Sequence, residues 1–293
     1  MTPKASRERC LILGGTGQLG SALAERLQRA GRGVQLPSRS ELDLSRPESI
    51  ESTLERIVPT AVVNAAAFTD VAAAEAPEVR DEVFRLNRDA PAALARACRA
   101  LRVPLIHVST DYVFDGTRRR PYREDDPTGP LQVYGRSKLE GEWEVLSTYP
   151  RALVIRTSTL FGPGRRGRPN YVDAVLRQAR STRLLEVVEL PVASPTFAPD
   201  LAAAALALLD AGASGLVHVV NRGQCSRLEL AGAVIEAAGL GETLEIRTRP
   251  APAEGVARPA YSVLETSRYE GIVGVPLRSW REAVFEHVGG SAP

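Results

Sequence analysis

Four apolar residues, Cys10-Leu11-Ile12-Leu13, run straight into Gly14-Gly15-Thr16-Gly17-Gln18-Leu19-Gly20. From Gln18 to Ala30 the leucines at 19, 23 and 27 share one helical face, and Gly31 ends the pattern. The apolar run predicts a strand buried on both faces. The glycines, three apart, answer separate steric needs: one allows the tight turn, one lets backbone approach a pyrophosphate, and one lets the helix lie against the strand. Phosphate would then face the free N–H groups of the helix N-terminus. The spacing therefore predicts a dinucleotide cofactor held around Gly14, Thr16, Gly17, Gln18, Leu19 and Gly20.

The alternation continues for about 160 residues. Strands are expected at Val34–Leu36, Ala61–Asn64, Leu105–Ser109 and Leu153–Ile155. Helices are expected at Pro47–Ile57, with Ser45 as N-cap, over most of Ala76–Leu101, and at Leu131–Leu146. This order specifies α/β architecture: a doubly wound parallel sheet of the Rossmann kind. After Phe161 the texture changes. A Gly/Pro/Arg-rich stretch, Gly162 to Pro169, leads to helices near Tyr171–Arg180 and Asp200–Asp210, a strand at Leu216–Val220 and a Pro/Ala-rich loop from Arg249 to Pro259. Residues 1–161 are expected to bind the dinucleotide, with part of their sheet completed by later segments. Residues 162–293 would form mainly a smaller, substrate-binding lobe.

A net charge of +2 gives no reason to expect a nucleic-acid partner. Three cysteines at unrelated spacings and three histidines offer no metal-ligand pattern, so no metal is expected and a reducing compartment fits. The polar start, Met1 to Arg9, does not read as a secretory signal, and Leu201–Leu209, the longest apolar run, is too short to span a bilayer. A soluble cytoplasmic protein without a membrane partner is expected. Two amphipathic helices would suffice for a homodimer, though nothing in the chain demands one.

The second strand ends in Pro37-Ser38-Arg39, where an acid would bond a ribose 2′-hydroxyl. A guanidinium there suits a 2′-phosphate, so the cofactor is NADP(H) or NAD(H), with Arg39 leaning to NADP. Tyr134-Gly135-Arg136-Ser137-Lys138 opens a helix, and residues four apart share a face. A neighbouring cation lowers a phenol's pKa from about 10 and suits it to exchange a proton with a carbonyl oxygen. Thr110, at the carboxyl end of the fourth strand, faces the ligand crevice and can polarise that carbonyl.

These residues resemble the extended short-chain dehydrogenase/reductase superfamily and, more narrowly, the dTDP-4-dehydrorhamnose reductase family. The resemblance covers nearly the whole chain: Gly14–Gly20, Glu41-Leu42-Asp43-Leu44, Val63-Asn64-Ala65-Ala66-Ala67-Phe68-Thr69, Ser109–Gly116 and Tyr134–Glu142. It continues through Arg156-Thr157-Ser158, Arg258-Pro259, Ser262, Leu264, Thr266 and Pro276–Trp280. It implies reduction of the C4 ketone of a nucleotide-activated 4-keto-6-deoxysugar, with Tyr134 as proton donor, Lys138 as its partner and Thr110 on the carbonyl. It also places Asp43 and Leu44 along the adenosine and Ala65, Ala66 and Ala67 as a small-residue wall. Thr69 and Asp111 would lie at the sugar, with Asn87 behind the site as an orienting or structural residue. Arg258 is a candidate for the diphosphate, as is the insert Arg165-Arg166-Gly167-Arg168.

Two positions depart from the family. Thr159 stands where a tryptophan often packs on the sugar, and Phe68 where a histidine is common. Related alternatives are an epimerase or a 4,6-dehydratase. The dehydratase would pair Asp111 with a glutamate, whereas Tyr112 follows here; an epimerase-reductase would need a Cys and a His in the site. A non-catalytic, cofactor-binding regulatory subunit is the alternative from another class.

Overall fold

The computed structural model describes residues 9–163, 169–188, 190–241, 244–250 and 255–289. The apolar runs become strands and the periodic segments become helices, in the order β1 (Cys10–Leu13), α1 (Gln18–Arg29), β2 (Val34–Gln35), α2 (Ile50–Ile57), β3 (Ala61–Asn64), α3 (Arg80–Phe84), α4 (Ala90–Leu101), β4 (Leu105–Thr110), α5 (Val133–Thr148) and β5 (Leu153–Thr157). The remainder adds β6 (Leu160–Phe161), α6 (Tyr171–Ala179), β7 (Leu184–Val188), β8 (Val192–Ala193), β9 (Thr196–Phe197), α7 (Ala198–Asp210) and β10 (Gly215–His218). It ends with β11 (Cys225–Ser226), α8 (Arg227–Ala237), β12 (Glu245–Arg249), α9 (Ser267–Val273) and α10 (Trp280–Val288).

Six strands pair in parallel in the order β10-β5-β4-β3-β1-β2. Because β2 goes to one side of β1 and β3 to the other, the sheet has its switch point there, and a crevice opens at the strands' carboxyl ends. The outermost strand, β10, and α7, which packs on α1, both come from beyond residue 161. The rest of the later chain gathers around a separate apolar cluster that includes Val172, Val175, Leu230 and Val234.

Successive side chains of a strand point to opposite faces, so each strand feeds two cores. Leu19, Leu23 and Leu27 of α1 and Leu201 and Leu208 of α7 cover Ile12, Val63 and Ile155. Leu54 of α2, Leu94 of α4 and Val145 of α5 cover Leu11, Val62 and Val154 on the other face. Each of these fully buried side chains contributes about 1.5–3 kcal/mol.

Two expected elements differ. Ser45 does not cap a helix: its N–H and hydroxyl both donate to Asp43 Oδ1, at 2.9 and 2.7 Å, and α2 begins at Ile50 behind a short turn at Pro47–Ser49. An N-cap accepts from the free N–H groups of the helix start, and the Ser45 hydroxyl, held back on Asp43, accepts from none of them. The helix expected over Ala76–Leu101 is interrupted by a single π turn, Arg85–Asp89, between α3 and α4. Such bulges expose backbone groups and often mark functional positions. Among the described residues no helix is long and apolar enough to cross a membrane, and no group of His, Cys, Asp and Glu could hold a metal ion.

Candidate active site

The turn between β1 and α1 is closed by Gly17 N–H donating to the Gly14 carbonyl at 2.9 Å. Gly14 has φ +76°, and a Cβ there would lie 2.8 Å from Ala66 N. A Cβ on Gly20 would lie 2.1 Å from the Gly14 carbonyl oxygen, so the helix can sit this close only on glycine. No side chain caps the N-terminus of α1, which leaves its first N–H groups for an anion. The cradle therefore fits a dinucleotide's phosphates. Thr16 is exposed at its lip, whereas the Leu19 side chain is in the core and offers only backbone. The Gln18 side chain does not face the cradle; its amide donates to the Gly162 carbonyl at 2.6 Å and ties the turn to the chain beyond β6.

Arg39 is largely exposed, with its Nε 3.5 Å from Asp43, which Ser45 holds from the other side. These hydrogen bonds keep the Asp43 carboxyl below its usual range. Leu44, Ala65, Ala66 and Ala67 are half-buried after β2 and β3, on the cradle's side of the sheet.

Tyr134 occupies the first turn of α5, half-buried, edge-on to Tyr112 with ring centroids 6.1 Å apart. Its phenol meets the Thr110 hydroxyl. Lys138, one turn on, is 1% exposed; its Nζ donates to the Val108 carbonyl at 2.7 Å and lies 3.1 Å from His107 Nε2. The expected lowering of the phenol by this ammonium is not seen. Burial raises the Tyr134 phenol above its ordinary value; Thr110 opposes that rise, while the charges near Asp111 and Tyr112 add to it. Desolvation brings Lys138 itself down to about 8.

Asp111 was expected at the sugar, but it is 2% exposed. Its carboxylate accepts from Thr110 at 3.1 Å, Ser158 at 2.8 Å and Ser262 at 2.5 Å. Burial still dominates and pushes its pKa up to about 6. Asp111 thus acts on Thr110 rather than opening to a ligand. Asn87, fully buried in the π turn, accepts from Phe68 N–H at 2.8 Å and donates to the Phe68 carbonyl at 3.1 Å and Ser137 Oγ at 2.9 Å. It clamps the loop after β3 to the helix that carries Tyr134.

Thr69, Thr159 and Arg258 are exposed. Thr69 and Thr159 follow β3 and β5 at the carboxyl edge, and Thr159 takes the left-handed φ of +33°, unusual for a β-branched residue. Arg258 reaches Tyr112; the burial of Arg227, and after it the charge of Arg258, lowers the pKa of Arg227, which stacks on Tyr171 at 4.9 Å. Neither guanidinium pairs with a carboxylate among the described residues. Arg227 escaped the reading of the sequence, although one signal was present. It follows the capping Ser226 at the start of α8, where the helix dipole disfavours a cation. The insert Arg165–Arg168 lies outside the described residues. Cys98 and Cys225 are buried in apolar clusters, with the Cys98 thiol pushed up to about 12, so neither supplies a nucleophile.

The family model described as RmlD substrate binding domain matches residues 8–290. A dTDP-4-dehydrorhamnose reductase from Mycobacterium tuberculosis H37Rv is 41% identical over 289 residues, covering 94% of this chain and 91% of that one. The crystal structure of a dTDP-4-dehydrorhamnose reductase from Clostridium acetobutylicum superposes with a TM-score of 0.89 at 30% identity, over 96% of this chain and 98% of that one. That of the reductase from Bacillus anthracis, in complex with NADP, superposes with a TM-score of 0.87 at 28% identity, again over 96% and 98%.

Proposed function

The chain belongs to the dTDP-4-dehydrorhamnose reductase family, within the extended short-chain dehydrogenases, and from that premise we propose that Thr110, Tyr134 and Lys138 carry its chemistry. The protein is an NAD(P)H-dependent reductase of the C4 ketone of a nucleotide-activated 4-keto-6-deoxysugar. One observation supports the residue assignment above the others: the Thr110 hydroxyl and the Tyr134 phenol meet at the carboxyl end of β4, on the edge that carries the glycine cradle.

The glycine cradle and the free N–H groups of α1 would hold the phosphates of a reduced nicotinamide dinucleotide, which when bound would supply the hydride for C4. The Thr110 hydroxyl, which donates to Asp111 here, turns to donate to the ketone oxygen and stabilises the charge that grows there. Burial keeps Tyr134 protonated at neutral pH, so its proton is present when the alkoxide forms. That transfer leaves a phenolate, which the Lys138 ammonium one turn away favours. Arg227 and Arg258 take the substrate diphosphate, as suits two guanidiniums without acid partners among the described residues. Thr69 and Thr159 border the sugar. Arg39 favours a 2′-phosphate, hence NADP(H) over NAD(H), and Asp43, Leu44 and the alanine wall line the adenosine side. Residues beyond 161, apart from β10 and α7, serve as the substrate lobe. A soluble cytoplasmic enzyme, monomeric or homodimeric, fits this chemistry.

The test is absorbance of NADPH and of NADH on mixing with dTDP-4-keto-6-deoxyglucose and with its 3,5-epimerised form. The expected result is oxidation that disappears in Tyr134→Phe. Cofactor binding without turnover of either keto-sugar would overturn the substrate assignment and favour a regulatory subunit.

A further inference from the structure

Behind Lys138 runs a buried column of polar groups that the mechanism above does not use. Ala66 N–H donates to Asn64 Oδ1 at 3.2 Å, and Asn64 Nδ2 lies 3.1 Å from His107 Nδ1. His107 Nε2 lies 3.1 Å from Lys138 Nζ, which donates to the Val108 carbonyl. Asn64, His107 and Lys138 are each 1% exposed, so no water competes for these contacts.

The hydrogens follow by elimination. A backbone N–H only donates, so Ala66 fixes the Asn64 oxygen on its own side and turns the amide nitrogen to His107. His107 Nδ1 must then accept. Burial and the charge of Lys138 hold the imidazole neutral, its pKa well below the ordinary value. A neutral imidazole that accepts at Nδ1 carries its proton on Nε2. That proton points at Lys138 Nζ. An ammonium has donors only, whereas a neutral amine offers a lone pair, so this contact works against the ammonium that the reaction uses and eases its deprotonation as pH rises. Among charged groups Glu142, one turn on, acts on Lys138 and is itself paired with Arg156 of β5; Tyr134 stands one turn before it and Asp111 follows the end of β4.

We propose that Asn64 and His107 are positioning residues that set the protonation state of Lys138, and through it the basic limb of the reaction's pH profile. The proposal rests on the catalytic assignment above for its kinetic consequence, but not for its structural one. Because Ala66 N also lies against Gly14, the column ends at the cofactor cradle and connects it to the lysine.

Two measurements separate the consequences. Long-range 1H–15N spectra of the labelled protein resolve its three histidines; His107→Gln assigns one signal by its loss. The expected result is the Nε2–H tautomer, unprotonated at pH 6. An Nδ1–H tautomer, or an ordinary titration, would overturn the proposal whatever the enzyme's substrate is. The second measurement is the pH profile of kcat/KM for Asn64→Asp. A carboxylate accepts from both Ala66 N–H and His107 Nδ1–H, which frees Nε2 to accept from the ammonium. The basic limb should then move up by about one pH unit. A uniform loss at every pH in this variant, with the limb in place, is the result of a merely structural role and would overturn the kinetic half. His107→Gln, whose side-chain oxygen accepts from the ammonium, should move the limb in the same direction.

Discussion

The carboxylate of Asp111 gives the sharpest quantitative expectation. Its pKa rises from 3.8 to about 6 in the folded protein, because burial outweighs the hydroxyls of Ser262, Ser158 and Thr110. A carboxyl raised on folding stabilises the protein fully below its unfolded pKa, and that contribution is lost as pH rises through the folded pKa. The window here runs from about pH 4 to pH 6. A rise of about two pH units, at ~1.4 kcal/mol each, means that the ionised group costs about 3 kcal/mol at pH 8. Asparagine keeps the shape and cannot ionise. Its oxygen still accepts from Thr110, and its amide faces Ser158 and Ser262, whose hydroxyls rotate to accept instead of donate.

Asp111→Asn is therefore expected to be about 1–3 kcal/mol more stable than the parent at pH 8, and no more stable at pH 4. Urea unfolding at the two pH values, with equal slopes, measures this. A variant less stable than the parent at pH 8 would refute the reasoning, since it would mean that the three hydroxyls outweigh the desolvation. The same substitution should lower kcat by less than the roughly 10²–10³-fold loss that follows removal of a direct donor, because Asp111 acts only through Thr110. More stability with less activity is the pattern expected where function retains a buried charge.

Thr110→Val removes the donor itself: kcat should fall about 10²–10³-fold in the NADPH assay, with cofactor affinity unchanged. Glu142 and Arg156 form a bidentate ion pair at 2.7–3.2 Å, both nearly inaccessible. Glu142→Gln strands the guanidinium and should cost about 3–5 kcal/mol in urea unfolding, while pairing it with Arg156→Met should recover part of that loss. Arg227→Gln should raise KM for the nucleotide-sugar about 10–100-fold, the worth of one charged hydrogen bond, with NADPH binding unaffected by calorimetry.

The features readable in the sequence are those whose cause is local. The apolar run before Gly14 needs only its own residues to read as a buried strand, and Tyr134 and Lys138 share a helix face by spacing alone. What escaped depends on partners far along the chain. Asp111 draws Ser158 from 47 and Ser262 from 151 positions away, which no spacing rule anticipates. Asn87 reaches Ser137 across 50 positions, from a π turn that helical periodicity does not reveal. Ser45 does not cap because its side chain is held back on Asp43, and the Tyr134 phenol rises because burial, which spacing along the chain does not reveal, outweighs what opposes it.

Along most of their length the central strands keep one face apolar, while the other turns polar earlier. On the face covered by α1 and α7, β3, β4 and β5 present Val63, Ile106 and Ile155, and the core there stays apolar until the strand ends, where Thr110 and Thr157 pair. On the face covered by α2, α4 and α5, the same strands begin with Val62, Leu105 and Val154 and then turn polar two residues later, at Asn64, His107 and Arg156. A period of two makes these the next side chains on that face, and the register sets Asn64 beside His107. The polar residues therefore cluster at the carboxyl ends of the strands, under the helix that carries Tyr134, Lys138 and Glu142. Burying such groups costs several kcal/mol unless each finds a partner, and that partnering fixes a side chain's position more tightly than apolar packing does. The apolar face supplies the stability that lets the other face hold a lysine, a histidine and an ion pair out of water, where a displaced proton has the largest effect on a reacting carbonyl.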